Sequence, residues 1–225
     1  MKRSEMNASI RWAEGLLQKY CISLPFFAQL PEAEWASPSL AQIKHTMLGW
    51  DVTDFGRGDF NKVGAVLFTV RNGDVYHPEE SITYCEKYII LKDGCEQEIP
   101  MHYHLLKSED IINRAGGVLC VELAARTEDD QPDYTKPIDV TMDGVRKTIA
   151  PGTVIEIQPG NSITLTPYMY HRFYAKTGCG DLVVGEVSKV NDDHKDNIFA
   201  DKSARFCAVD EDEPKYRVLV NEYPV

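Results

Sequence analysis

Apolar residues along the 225-residue chain follow a helical period at first and a strand period afterwards. The helical period is carried by Ile10, Ala13, Leu16 and Leu17, which share one face of a helix. A second helix is predicted over residues 40–48, with Gly49 ending it. The pattern therefore predicts a helical segment at the start of the chain.

Beyond Gly49, short stretches rich in β-branched residues alternate with turn signals such as Asn72-Gly73. The predicted strands lie within residues 62–73, 82–94, 116–126, 136–144, 153–160, 161–167, 171–178 and 181–190. Their short, fairly regular spacing is typical of an antiparallel sandwich or barrel. The sequence thus predicts a single structural domain, in which an N-terminal helical extension (1–50) packs on an all-β barrel (51–225).

The charge balance and cysteine usage exclude some partners. Asp and Glu total 35 against 24 Lys and Arg, and this net charge of −11 gives no reason to bind nucleic acid or an anionic membrane. No run of about 18 apolar residues predicts a membrane-spanning helix. The N-terminus has no apolar signal region, so we expect a cytoplasmic protein with free thiols. Its scattered cysteines are Cys21, Cys85, Cys95, Cys120, Cys179 and Cys207.

The stretch PMHYHLLKSEDIINRAGG (100–117) carries the clearest candidate chemistry. His102 and His104 are two residues apart and would project from the same face of a strand. Two imidazoles this close repel each other when protonated, which favours neutral rings that share a cation. Glu109 can join them only if the chain bends between His104 and Glu109. An H-x-H pair alone is equally typical of a solvent-facing strand.

The longer string H-x-H-x4-E-x6-G, formed by His102, His104, Glu109 and Gly116, resembles the first motif of the cupin superfamily. The resemblance implies a double-stranded β-helix (jelly-roll) barrel and a fourth ligand on a later strand. His171, in YMYHRFY, stands where the second motif would place it, although the glycine and asparagine of that motif are missing. Three imidazoles and a carboxylate suit Mn²⁺, Fe²⁺, Ni²⁺, Co²⁺ or Zn²⁺.

The remaining histidines have no ligand spacing, and we interpret them as surface or helix residues. They are His45, His77 and His194.

More of the chain resembles the cupin-type D-lyxose isomerases of bacteria. The specific stretches are residues 49–73, 84–94, 100–117, 185–197 and 221–224. The resemblance implies a divalent metal, commonly manganese, on His102, His104, Glu109 and His171. It also implies reversible conversion of D-lyxose to D-xylulose and, in many members, of D-mannose to D-fructose. A homodimer is expected.

Two residues are predicted to carry acid–base chemistry beside the metal. Lys107 lies between two predicted ligands, where it would polarise a substrate oxygen or move a proton; an exposed turn lysine is the alternative. Glu186 shares a strand face with Leu182 and Val184, and a carboxylate on an apolar face is costly to bury. We expect burial to raise the pKa of Glu186 towards that of a general base.

Substrate contacts are predicted in the polar segment that follows. Asp193 is a candidate for binding the sugar. Arg205 would either reach a substrate hydroxyl or pair with the acidic stretch 210–214, which reads as a solvated loop.

Three other functions compete with the isomerase. They are an iron-dependent cupin dioxygenase with a mainly apolar pocket, a sugar-binding cupin without turnover, and a sugar-phosphate isomerase with a cationic phosphate cradle.

Overall fold

The computed structural model describes residues 1–94 and 98–224. Two helices lie near the start of the chain, α1 (Arg3–Lys19) and α2 (Ala41–His45). Within the described residues, the 3-10 turns are Phe26–Gln29, Glu32–Ala36, Pro38–Leu40, Pro78–Glu80 and Val220–Glu222. Helix α2 is shorter than the predicted helix because Met47 adopts a positive φ of 55°, which no helix continues through.

The rest of the chain is built of antiparallel strands, which confirms the all-β prediction. They are β1 (Gly49–Thr53), β2 (Ala65–Arg71), β3 (Tyr84–Leu91), β4 (Glu98–Tyr103), β5 (Glu109–Gly116), β6 (Leu119–Arg126), β7 (Pro132–Asp133), β8 (Ile138–Met142), β9 (Val145–Ile149), β10 (Val154–Ile157), β11 (Ser162–Leu165), β12 (Tyr170–Ala175), β13 (Leu182–Lys189) and β14 (Ile198–Phe199). One sheet has the order β1-β2-β3-β13-β5-β11-β8-β9, and the other runs β10-β6-β12-β4-β14, with β7 paired to β6.

Each predicted strand corresponds to an observed one, but the sequence pattern missed β1, β5, β9 and the two-residue strands β7 and β14. Strand β5 was missed because its inward positions include Glu109 and Asn113, which break the apolar alternation. Strand β9 is largely exposed at the sheet edge, so it has no apolar face to recognise. Gly49 was predicted to end a helix, and instead it begins β1 with a φ of 130°.

The main core lies between the two sheets. Strand β13 runs through the middle of the larger sheet, paired with β3 on one side and β5 on the other. Its Leu182 and Val184 are fully buried in this core, and Glu186 continues the same face. The two sheets therefore enclose an apolar interior that becomes polar towards Glu186.

A second core forms where α1 packs on the outer surface of the larger sheet, against Val52, Val66 and Phe68. The acidic stretch 210–214 is exposed, as expected for a solvated loop, and it also contacts α1. Arg3 is fully buried and pairs with Glu211. The domain boundary at residue 50 remains a prediction, and β1 spans it.

The cysteines that the structure describes are all free thiols, and Cys95 lies outside the described residues. Burial raises the pKa of the Cys85 thiol to about 12, so this sulfur is unreactive at neutral pH. In the described ranges, no helix has both the length and the apolar character needed to cross a membrane.

Gly116, the last residue of the cupin-like string, ends β5 with a φ of 97°, and a Cβ there would collide with the carbonyl oxygen of Asp181. We expect Gly116→Ala to lower the free energy of unfolding by about 1–3 kcal/mol for backbone strain and a further ~1–3 kcal/mol for overpacking. Gly178→Ala is the control, because Gly178 has a similar φ of 81° with open space around it. Urea unfolding measures the loss of stability in both variants. An equal loss in Gly116→Ala and Gly178→Ala would contradict the collision of the added Cβ with Asp181.

Candidate metal centre

Strand pairing brings the four predicted metal ligands together. His102 on β4 lies directly opposite His171 on β12. The ligand nitrogens of these two residues and of His104 lie within 4.8 Å of one another. Glu109, the first residue of β5, places Oε1 3.4 Å from Nε2 of His104 and 3.1 Å from Nε2 of His171. All four side chains are buried.

A turn held by Asp196 bends the chain between His104 and Glu109, and this bend lets Glu109 reach the histidines. The carboxylate of Asp196 accepts hydrogen bonds from the backbone N–H groups of Leu105 and Leu106 at 2.8 and 2.9 Å. It also accepts one from the backbone of Lys107 at 3.1 Å. These bonds end β4 just before His104 and turn the chain back into β5, which brings Glu109 to the histidines.

Backbone carbonyls fix the orientation of all three imidazoles. Nδ1 of His102, His104 and His171 lies 2.7, 2.7 and 2.9 Å from the carbonyl oxygens of Pro100, Asp196 and Met169, respectively. A carbonyl only accepts, so each Nδ1 carries the proton and each Nε2 presents a lone pair to the centre.

The rings are also kept neutral. Burial and the neighbouring imidazoles hold the pKa of His102 well below its ordinary value. For His104, burial and the Lys107 charge lower the pKa. Neutral imidazoles are the form that binds metals.

The arrangement fits a cation better than it fits hydrogen bonding. Nε2 of His171 is buried without a hydrogen-bond partner, although a carboxylate oxygen of Glu109 lies 3.1 Å away. With the ring proton on Nδ1, two lone pairs face each other across this distance, which is repulsive. A divalent cation between them removes the repulsion, and three nitrogens with one carboxylate suit a transition metal.

Lys107 joins this cluster to a second carboxylate. Its Nζ lies 2.9 Å from Oε2 of Glu109 and 2.8 Å from Oε1 of Glu186, and it donates to Oδ1 of Asn191 at 3.3 Å. Burial alone would lower the pKa of Lys107, but the charges of Glu109 and Glu186 outweigh burial and raise it. Lys107 is therefore a buried ammonium and not the exposed turn lysine of the alternative interpretation.

Glu186 lies inside the cavity, on the face that the sequence indicated, but its pKa moves in the opposite direction to our expectation. Burial raises the pKa of Glu186, and the charges of Lys107 and Lys87 lower it by more. The expected rise is thus wrong, because the prediction considered burial without these two cations. Ser188 Oγ also donates to Glu186 Oε1 at 3.0 Å.

Lys87 is a buried cavity residue that the sequence analysis missed. It lies opposite Glu186 in the pairing of β3 with β13, and its Nζ is 3.7 Å from Oδ1 of Asp193. A signal was present in the sequence, because Lys87 alternates with the buried Ile89 and Leu91 on one strand face. A lysine on an apolar strand face is costly to bury, as is the carboxylate of Glu186, and this cost indicates a specific role.

Asp193 and Arg205 form a largely buried ion pair among the residues that line the cavity. Nε of Arg205 donates to Oδ1 of Asp193 at 2.9 Å, and Nη1 bonds Asp51. Arg205 therefore does not pair with the acidic stretch 210–214. Burial raises the pKa of Asp193, but Arg205 and Lys87 outweigh it and bring the pKa below its ordinary value.

The cavity beside the predicted metal ligands is lined by both polar and apolar side chains. Asn197 contributes a buried Nδ2 without a hydrogen-bond partner, and Lys87, Asp193 and Arg205 line the same cavity. The apolar part of the lining consists of Phe55, Leu67, Ile89, Ile99, Ile111, Phe173 and Phe199. A ligand that carries both hydroxyl and C–H groups complements such a cavity.

The chain is similar to known proteins over nearly its whole length. The model of a family described as D-lyxose isomerase matches residues 1–223. A D-lyxose/D-mannose isomerase of Escherichia coli O157:H7 is 42% identical over 99% of this chain and 98% of its own length. A protein of the same name from Serratia proteamaculans is 40% identical over the same shares of the two chains.

Solved structures share the fold. The L-ribose isomerase of Cellulomonas parahominis with L-psicose superposes with a TM-score of 0.60 at 15% identity, covering 93% of this chain and 98% of its own. The L-ribose isomerase of Acinetobacter sp. DL28 with L-ribose gives 0.60 at 14% identity, over equal shares. At this identity the likeness concerns the fold alone, and it confirms the predicted cupin-like barrel.

We expect Mn²⁺ to stabilise the metal-stripped protein by about 2.7 kcal/mol when free metal exceeds Kd about a hundredfold. In His171→Gln the stabilisation should disappear, because one of the converging lone pairs is lost. His194→Gln removes an exposed histidine outside this cluster and serves as the control. Thermal unfolding with and without Mn²⁺ measures the effect; an equal rise in Tm for both variants would place the ion elsewhere.

Proposed function

The chain belongs to the D-lyxose isomerase family, and on that premise we propose that it interconverts D-lyxose with D-xylulose and D-mannose with D-fructose. It is thus an aldose–ketose isomerase. The observation that supports this reaction most directly is the buried Lys107 ammonium, which holds Glu186 beside the cluster of metal ligands. A carboxylate so placed is within reach of a sugar whose oxygens are held at that cluster.

The proposed cofactor is a divalent metal on His102, His104, Glu109 and His171, with Mn²⁺ the first choice and Co²⁺, Fe²⁺, Ni²⁺ or Zn²⁺ as alternatives. Such a cation, when bound, stabilises the negative charge that develops on the sugar oxygens. The convergent Nε2 lone pairs and the Glu109 carboxylate support this assignment.

Glu186 is the proposed general base. Its carboxylate takes the proton from C2 of the aldose, the C–H electron pair forms the C1–C2 double bond, and the C1 carbonyl electron pair moves onto O1. The proton of the C2 hydroxyl passes to O1, the electron pair left on O2 forms the C2 carbonyl, and the C1–C2 double-bond pair takes the proton back from Glu186 at C1. Lys107 keeps Glu186 ionised before the reaction and can donate a hydrogen bond to a sugar oxygen as charge develops.

The remaining polar groups are proposed to bind hydroxyls. Asn197 has an unused N–H group, and the Asp193–Arg205 pair offers both an acceptor and donors. Lys87 lies beside them. Apolar lining residues such as Phe173 and Phe199 would contact the C–H groups of the sugar.

The charge balance favours an unphosphorylated sugar. The cations Lys87, Lys107 and Arg205 are each paired with or close to a carboxylate. A phosphate would therefore have to displace an existing ion pair, which disfavours the sugar-phosphate isomerase. The many polar side chains that line the cavity also argue against the dioxygenase, for which we expected a mainly apolar pocket. A turnover assay separates an isomerase from a sugar-binding cupin.

We further propose a cytoplasmic homodimer. The free cysteines in the described part of the chain are consistent with a reducing compartment, and the family resemblance supports the dimer. Sedimentation equilibrium would measure the oligomeric state.

Metal removal and add-back test the reaction. We expect chelation to abolish conversion of D-lyxose to D-xylulose, and Mn²⁺ to restore it. Glu186→Gln should lower kcat by about 10²–10⁴-fold because the base is lost, while metal affinity is retained. Glu156→Gln, at an exposed position of β10, is the control. If no metal restores turnover of lyxose or mannose, the proposal fails, and oxygen uptake with iron becomes the next measurement.

Deuterium at C2 of D-lyxose distinguishes proton transfer from hydride transfer. We expect the label to be lost extensively to water, because the proton on Glu186 can exchange while the enediol exists. Mass spectrometry of the D-xylulose product measures the loss. Full retention of deuterium in the product would instead indicate a hydride shift or a base shielded from solvent.

A further inference from the structure

Three side chains outside the catalytic cavity form a second cluster with ligand chemistry. His45 lies at the end of α2, Asp74 follows β2, and His77 comes just before the turn Pro78–Glu80. Nε2 of His45 is 2.7 Å and Nδ1 of His77 is 2.9 Å from the same oxygen, Oδ2 of Asp74. The three ligand atoms lie within 4.8 Å of one another.

Asp74 is held rigidly in this cluster. Its other oxygen, Oδ1, accepts the backbone N–H of Tyr76 at 2.8 Å, and its own backbone N–H donates to Ser81 Oγ at 2.6 Å. The aspartate is only 9% exposed, whereas the side chains of His45 and His77 are 49% and 60% exposed. An ion from solvent can therefore reach a fixed carboxylate between two accessible imidazoles.

We propose that His45, Asp74 and His77 form a second metal site, for Zn²⁺ or a similar divalent transition metal. Two imidazoles and one carboxylate are a usual zinc ligand set, and they disfavour Mg²⁺ and Ca²⁺, which prefer oxygen. Donor atoms on one tetrahedral zinc are separated by roughly 3.3 Å, given bonds of ~2.0–2.1 Å. The observed separations from Oδ2 need only a small adjustment to reach that value.

This site uses two histidines that the sequence spacing did not mark as ligands. They are 32 positions apart in the chain and meet only because α2 packs beside the loop that follows β2. The site is independent of the proposed isomerase reaction, because none of its three residues lines the catalytic cavity.

The second site is linked to the cavity by Asn72. The side chain of Asn72 donates to the backbone of Thr46, next to His45, at 3.4 Å. It also pairs with the backbone of Asn191 in both directions, at 3.0 and 2.9 Å. Asn191 in turn accepts from Lys107. A metal ion bound by His45, Asp74 and His77 would hold the end of α2 against the loop that follows β2. Asn72 lies in this loop and hydrogen-bonds Thr46 just after α2.

The experiment is a Zn²⁺ titration of metal-stripped protein against a chromophoric chelator. The double variant His102→Ala/His171→Ala removes the buried centre, so that about one equivalent of Zn²⁺ should remain, held by three ligands. Adding His77→Ala or Asp74→Ala should remove that equivalent. Adding His194→Ala, which changes a histidine outside both clusters, should leave the Zn²⁺ bound.

A comparison in the otherwise native protein covers the case in which the double variant does not fold. His45→Ala/His77→Ala should bind about one equivalent fewer than the wild type, and should lack one set of tetrahedral Co²⁺ absorption bands. Equal stoichiometry in these two proteins would overturn the proposal. So would loss of the equivalent in His194→Ala, since binding would then not depend on the cluster.

Discussion

The buried ammonium of Lys107 is the interaction on which the candidate site at this end of the barrel depends. It neutralises two carboxylates, Glu109 and Glu186, that belong to different strands and would otherwise repel each other in a medium of low polarity. Asp196 places Lys107 by holding the turn before it. One ion cluster therefore fixes the start of β5, the middle of β13 and the loop at Asn191, and the cavity takes its shape from it.

Much of the fold was predictable because most strands carry an alternating apolar face. Strand β13 is the clearest case, since Leu182, Val184 and Glu186 face inward as the alternation indicated. The sequence pattern did not predict strand β5, because polar residues of the candidate site occupy part of its inward positions. The local pattern therefore fails where function replaces apolar side chains, and the family resemblance supplied what the pattern could not.

The candidate site was predictable in its residues but not in its electrostatics. The spacing of His102, His104 and Glu109 indicated metal ligands. The position of Glu186 on an apolar strand face indicated a functional carboxylate. The direction of the pKa shift of Glu186 depends on Lys87, about a hundred residues earlier in the chain, and this pairing exists only in the folded sheet. Long-range partners such as Asp51 with Arg205 leave no local trace in a sequence.

The place of β13 in the larger sheet has a consequence for how the protein is made. During synthesis β3 and β5 leave the ribosome long before residues 182–189, so both strands have an unpaired edge until β13 inserts between them. Such non-local pairing folds slowly and leaves backbone groups open to other chains meanwhile. Nascent chains are consequently most prone to aggregate in this interval, and the candidate cavity closes only once β13 is in place.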